Sequence, residues 1–270
     1  VLGTPDFMAP EIVRGKSMPS TKTDLHSLAV LLFYLLHVGH PLVGRRVLSI
    51  RCWDSAARTR IFGEQPQFIF DPAQHDNAAV SLREDATGET GGQAMVYWRI
   101  YPSTLKATFT QAFTKGLADP GARVTELEWL NALADLRNRI LKCACGTPNF
   151  LDDARADETT AGTCWSCGKS LSLPYRMKVG RQTVAMNADT RLYPHHLQPG
   201  AARLCDFSTP LAEMAQSPKD PAQWGLRNLG EAKWVAVLSE GKMLDVHPGK
   251  AVPLHRGMGI SFGEVEAKVL

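Results

Sequence analysis

Two close cysteine pairs constrain this chain more than any other feature. Cys143 and Cys145 flank a single residue, Cys164 and Cys167 flank two, and a glycine, Gly146 or Gly168, follows each pair. In an intracellular protein such spacing speaks for a metal rather than for disulfides. Zinc takes four thiolates in a tetrahedron, two from each turn. The glycine lets each turn wrap the ion. The competing reading is four reduced thiols in a loop. No open coordination position and no general base is visible nearby, so a structural rather than a catalytic zinc is expected on Cys143, Cys145, Cys164 and Cys167. Cys52 and Cys205 have no partner in sequence and read as core or surface thiols.

The rest of the chain separates around this segment. Its 270 residues suggest about two domains. With 44% hydrophobic and 21% charged residues, it can bury a core without staples. A net charge of +3 argues neither for nucleic acid nor for a membrane surface. No basic stretch precedes an apolar one as in a signal peptide, and the expected location is the cytoplasm. The longest apolar run, residues 28–36 (LAVLLFYLL), is too short to span a bilayer. Being apolar all round, it reads as a buried central helix closed off by Pro41 and Gly44. Further helices are expected over 102–116 and 125–141. The latter opens on Thr125 with Glu128 three residues on, a capping-box pattern. Residues 77–93, rich in glycine and acid, read as a surface loop. Beyond residue 173 the pattern changes to short alternating stretches, 176–179, 183–186, 234–238 and 260–262, punctuated by glycine and proline. Such stretches predict a β-sandwich or barrel.

The opening run Gly3-Thr4-Pro5-Asp6-Phe7-Met8-Ala9-Pro10-Glu11 resembles the end of the activation segment in serine/threonine protein kinases, which closes on Ala-Pro-Glu. Other marks follow in order. Thr23-Asp24-Leu25-His26-Ser27-Leu28-Ala29-Val30 is similar to the start of the large C-lobe helix, and Gly39-His40-Pro41-Leu42 to the loop that ends it. Asp119-Pro120-Gly121-Ala122-Arg123-Val124-Thr125, followed by Trp129, is similar to the last kinase subdomain. Taken singly, Thr4-Pro5 is a loop dipeptide and Asp24 a helix N-cap; it is the order that makes the resemblance. The resemblance implies that Glu11 and Arg123 form a buried ion pair. It implies that Asp24 accepts hydrogen bonds from the backbone of the catalytic loop, and that Thr4 contacts the catalytic Asp. The Gly-rich loop, the strand Lys, its helix Glu, the catalytic Asp and the metal-binding Asp do not appear. The expectation is therefore a fragment of a longer, bacterial kinase that uses ATP and Mg, the fragment alone being inactive. The basic stretch Arg45, Arg46, Arg51, Arg58 and Arg60 reads as a solvated insertion helix, with a docking surface for an acidic partner as the sharper reading.

The cysteine pairs resemble the two knuckles of a zinc ribbon, the first one residue shorter than the usual Cys-x-x-Cys. The run from Val246 to Leu254, leading into Gly257-Met258-Gly259-Ile260-Ser261-Phe262-Gly263, is similar to the closing strands of forkhead-associated domains, sandwiches that read phosphothreonine. That resemblance implies Arg181 as a phosphate anchor, since its planar fork donates two hydrogen bonds, with His195 or His196 in support. The family's Ser before the His is absent, and no Asn-Gly turn follows Asn228. Trp224 and Trp234 read as core rather than as ligand-stacking residues. The expected architecture is thus multidomain: a mainly α-helical kinase C-lobe over 1–142, a small zinc ribbon over 143–173 and an all-β, forkhead-associated-like sandwich over 174–270. The expected partners are protein substrates and phosphoproteins, with no nucleic acid and no membrane span. The alternative is a non-catalytic adaptor, a pseudokinase whose ribbon and β module recruit partners.

Overall fold

The computed structural model describes residues 3–156, 160–180, 182–201, 205–238 and 241–270. The chain divides into two compact units, Val1–Ala132 and Leu133–Leu270. The first is helical and the second is built from antiparallel sheets, so the chain is a multidomain protein containing both. The division falls before the cysteine pairs, and no further break separates those pairs from the strands that follow.

The helical unit contains α1 (Pro10–Val13), α2 (Thr21–His37), α3 (Ser55–Arg58), α4 (Gly92–Ile100), α5 (Ser103–Phe113), α6 (Lys115–Ala118) and the first part of α7 (Glu126–Asn138). Helix α2 starts at a reciprocal box in which Thr23 and Ser20 bond each other's backbone N–H, and it ends at Val38 in the left-handed conformation. Its residues Leu25, Ala29, Phe33 and His37 recur every four positions, which is the spacing that lines one helical face. That face supplies the centre of the core. Phe33 stacks on His37 at 4.2 Å between ring centroids and meets Phe109 edge-on at 5.3 Å. Trp129, from α7, closes the cluster at 4.8 Å from Phe109. The expectation of a helix buried all round is corrected here. Leu31, Tyr34, Leu35 and Val38 are exposed, Leu35 to 68%. The stretch 77–91 is a loop that runs into α4, but both of its ends are interior, at Asn77 and Gly91. Asn77 is buried and donates from one nitrogen to the carbonyls of Leu42 (2.9 Å) and Gln67 (2.7 Å).

The β unit opens with two small hairpins, β1 (Ile140–Lys142) with β2 (Pro148–Phe150), and β3 (Thr160–Thr163) with β4 (Ser170–Ser172). Then come β5 (Tyr175–Val179), β6 (Gln182–Met186), β7 (Arg191–Leu192) and the single-turn helix α8 (Pro194–Leu197). The remaining strands are β8 (Ala212–Gln216), β9 (Trp224–Asn228), β10 (Trp234–Val237), β11 (Met243–Val246), β12 (Ala251–Pro253), β13 (Gly259–Ser261) and β14 (Glu266–Val269). They form a six-stranded sheet in the order β11-β10-β13-β14-β5-β6 and a four-stranded sheet in the order β12-β9-β8-β7. Inward residues of both sheets, among them Met177, Val184, Leu192, Leu226, Trp234, Val252 and Ile260, share one buried cluster. Alternation along each strand is what allows this, because every second side chain faces the same side. Trp234 lies in that core, whereas Trp224 is only half-buried. A second, smaller cluster joins Leu141, Leu151, Leu171, Cys143 and Cys164 of the hairpins to Ala185 on β6. The hairpins and the sheets therefore share packing. No helix among the described residues is long and apolar enough to cross a membrane.

Candidate metal centre and the Glu11–Arg123 anchor

The four cysteines sit in the loops of the two hairpins. In the first, the Cys143 N–H donates to the Thr147 carbonyl (3.2 Å) and the Gly146 N–H to the Cys143 carbonyl (2.9 Å). In the second, Cys164 donates to Lys169 (2.8 Å) and Gly168 to Cys164 (2.9 Å). Gly146 and Gly168 both have positive φ, +85° and +70°, which is the conformation a β-carbon resists. The first loop, one residue shorter, closes with the same pair of bonds drawn one position tighter: Gly146 donates across three positions where Gly168 donates across four. The four sulfurs lie within 4.8 Å of one another. Across the hairpins, Cys143 Sγ is 3.6 Å from Cys167 Sγ, and Cys145 Sγ is 3.8 Å from Cys164 Sγ. Thiolates at the ordinary zinc–sulfur length of about 2.3 Å in a tetrahedron stand about 3.8 Å apart, so the donor set fits such an ion.

The electrostatics favour thiolate on one sulfur in particular. The Cys164 thiol is drawn down to about 6 by the backbone N–H of Cys167, against the opposing effect of burial, with help from the Asn149 amide and the Ser166 N–H. Cys143 goes the other way, to about 11. The Cys145 N–H lowers it, but burial and the neighbouring sulfurs outweigh that bond. Within the cluster the hydrogen bonds thus lower the Cys164 and Cys145 thiols while Cys143 is raised. With a dication all four are expected to lose theirs, because the metal competes for the ligands against protons. Cys143 and Cys164 are buried, Cys145 and Cys167 exposed.

In the helical unit, the Arg123 guanidinium grips the Glu11 carboxylate with both terminal nitrogens at 2.8 Å, across 112 residues of sequence. The same group also bonds the carbonyls of Lys22 (2.8 Å) and Gly116 (3.1 Å). Three segments therefore meet on one buried cation: α1, the start of α2, and α6. Burial pushes the Glu11 carboxyl upward, but the Arg123 hydrogen bonds and charge outweigh it and hold the group below its usual range. The segment before α1 is pinned separately. The His40 imidazole accepts from the Leu42 N–H at Nδ1 (3.1 Å), which leaves Nε2–H to donate to the Asp6 carbonyl (2.7 Å). Asp6 pairs with Arg58, and Ser27 donates to the Phe7 carbonyl (2.8 Å). Thr4 is exposed, and its carbonyl accepts from the Phe7 N–H (3.0 Å). Asp24 stands exposed in the first turn of α2, at the head of the stripe that continues through Leu28, Leu31, Leu35 and Val38. Beside these residues opens a cavity of about 680 Å³, bordered by Asp6, Phe7, Tyr34, Leu48, Trp53 and Glu89.

The basic stretch is largely engaged within its own unit. Arg45 pairs with Glu84, Arg46 bonds Gln65 and Gln67, and Arg58 holds Asp6. Of the residues expected to read phosphate, Arg181 lies outside the described residues. His195 and His196 are buried. His196 Nδ1 accepts from the Tyr193 N–H (3.0 Å) and Nε2 donates to the Asn138 side-chain oxygen (3.0 Å). Burial first, and the charges of His195 and Arg137 next, lower its pKa to about 3. Both imidazoles expected to support such an anchor are thus buried, and both ring nitrogens of His196 are engaged within the protein. Sequence reasoning missed Asn149 and Asn228. Asn228 is fully buried and donates to the carbonyls of Ala232 (2.8 Å) and Val246 (3.0 Å). Nothing in a lone asparagine at the end of a strand reveals such partners. No family model, no curated protein and no solved structure matches this chain.

Proposed function

We propose that the chain is the C-lobe part of a serine/threonine protein kinase, followed by a structural zinc ribbon and a forkhead-associated-like sandwich. The observation that carries the kinase reading is the Glu11–Arg123 pair. It joins the Gly3–Glu11 run to the Asp119–Arg123 run, the two motifs on which the resemblance rests, across 112 residues. The exposed apolar stripe of α2 supports it further. Water-facing leucines on a helix apolar all round call for a cover, and Asp24 at the head of that stripe awaits donors. Catalytic-loop residues would meet both needs. A longer protein of this kind transfers the γ-phosphoryl group of ATP to a protein hydroxyl, with Mg supplying charge neutralisation. The cavity beside Phe7 and Trp53 would receive the protein substrate. The four-sulfur geometry supports zinc held by Cys143, Cys145, Cys164 and Cys167 in a structural role, since no ligand position is left open. The two antiparallel sheets around one core support the sandwich assignment.

The test is the coding sequence upstream of Val1 together with a phosphoryl-transfer assay on the extended protein. A catalytic Asp and a metal-binding Asp upstream, with activity that falls in Asp24→Asn, are expected. Their absence would leave the adaptor reading, in which the metal-bound hairpins and the sandwich recruit partners. The isolated chain should show no ATP binding by calorimetry, and measurable affinity would contradict the fragment assignment.

A further inference from the structure

We propose that Asn149 is a positioning residue for the metal centre, its carboxamide setting the Cys164 sulfur and the two hairpins in coordination register. The inference rests on the zinc reading above. Asn149 lies on β2 of the first hairpin and is only 4% exposed. Its Oδ1 accepts the Trp165 N–H of the second hairpin at 3.1 Å. That bond fixes which end of the amide is which, because only an oxygen can accept there. The Nδ2 end must then face the other way. It donates to the Thr147 carbonyl at 3.0 Å and to Cys164 Sγ at 3.4 Å. Every hydrogen-bonding group of one buried side chain is thus committed: one bond closes its own loop, and the other two reach across to the neighbouring loop.

The sulfur bond has a chemical purpose. Four thiolates on a dication leave a net charge of about −2 in a half-buried site. An N–H aimed at a ligating sulfur offsets part of that charge and orients the ligand, as outer-shell donors do at metal sites. The first loop is the shorter one, and it supplies the donor through Asn149 rather than through its own turn. Asn149 therefore acts on the ion only through Cys164 and the hairpin geometry.

The experiment compares zinc affinity of the full chain and of Asn149→Asp, Asn149→Ala and Asn149→Gln by chelator competition. Asp is isosteric and keeps an oxygen for the Trp165 N–H, but it replaces the donor facing the sulfur with an acceptor. A sulfur donor role predicts a loss of about 10- to 100-fold in the Asp variant, at least as large as in Ala, and partial recovery in Gln. A clamp acting only through Trp165 predicts that Asp binds like the unaltered chain. In cobalt-substituted protein, the thiolate-to-metal absorption should move to longer wavelength in Ala as the sulfur loses its donor. That band reads the sulfur directly, even in a variant of lowered stability. Affinity of the Asp variant within twofold of the unaltered chain, or an unmoved cobalt band in Ala, overturns the proposal while leaving the zinc site standing. An unaltered chain that binds neither zinc nor cobalt overturns the zinc reading itself.

Discussion

The Glu11–Arg123 anchor and the cysteine cluster do the same job by opposite means. Each gathers segments distant in sequence onto one charged centre. The helical unit carries both charges itself: a guanidinium and a carboxylate meet through two contacts of 2.8 Å, and two carbonyls accept from two further N–H groups of the guanidinium. The cysteine hairpins bring four donors and no counter-charge. On the zinc reading proposed above, their centre takes its counter-charge from an ion from outside. The comparison teaches that the first anchor is complete once the chain folds, whereas the second, on the zinc reading proposed above, couples folding to metal availability.

The largest expected effect is on the metal side. Structural zinc sites in small peptides carry apparent binding free energies of about 10–16 kcal/mol. Elemental analysis should find one zinc per chain. Stripping it with a chelator should open both hairpins, read by the fluorescence of Trp165, while helical circular dichroism changes little. A folded chain without zinc would erase the contrast between the two anchors.

Next comes the ion pair. Removing one partner leaves an uncompensated charge in a buried setting, so Glu11→Ala or Arg123→Ala should cost about 3–5 kcal/mol in urea unfolding of the helical unit. The Arg123 side chain is 2% exposed and that of Glu11 16%, so solvent screens the pair little. The double variant should lose less than the sum of the singles. Strict additivity would mean that the two groups do not act as one anchor.

Acid should weaken the helical unit through its buried histidines. Burial lowers His40 to about 4 and His26 and His37 to about 3, whereas an unfolded histidine titrates near 6.5. Below pH 6.5 the unfolded chain binds protons that the folded one refuses. The stability these groups contribute is therefore complete above pH 6.5 and is lost as pH falls toward 4. His40 alone accounts for about 3 kcal/mol of that loss. Thermal melts across this range should show it, and His37→Phe should flatten the slope. A melting temperature unchanged from pH 7 to 4 would mean that these rings are not sealed from water.

The smallest effect belongs to a cap. Glu128 accepts from the N–H (2.7 Å) and hydroxyl (2.8 Å) of Thr125, whose oxygen accepts the Glu128 N–H in return (3.3 Å). Thr125→Ala should cost about 1 kcal/mol. A loss several times larger would show that this turn is also held by contacts outside the box.

Legibility followed the range of the forces involved. The capping box at Thr125, the glycines after each cysteine pair and the strands near 176–179 and 234–238 were readable because each depends on neighbours a few residues away. The solvent-facing leucines of α2 were not. A helix with apolar residues on every side gives no periodic signal of which face stays open, and only the packing of Phe33 against Phe109 picks the buried one. The burial of the α8 histidines was not legible for a related reason. His195 and His196 carry the right chemistry for phosphate, yet they point inward, and Asn138, which holds His196, lies 58 positions away.

By itself the sequence singled out the four cysteines that cluster, the helix-then-strand order and the two residues of the long-range ion pair, the last through a resemblance rather than through any local rule. Cysteine spacing, alternation and caps are short-range properties, and the chain carries them openly. Only the tertiary structure decided that the four sulfurs converge, that Asn149 faces one of them, that the hairpins share a core with β6, and that the histidines of α8 are sealed from solvent. Those outcomes depend on which surfaces exclude water together. That is a property of the packed chain as a whole, and no single stretch of residues encodes it.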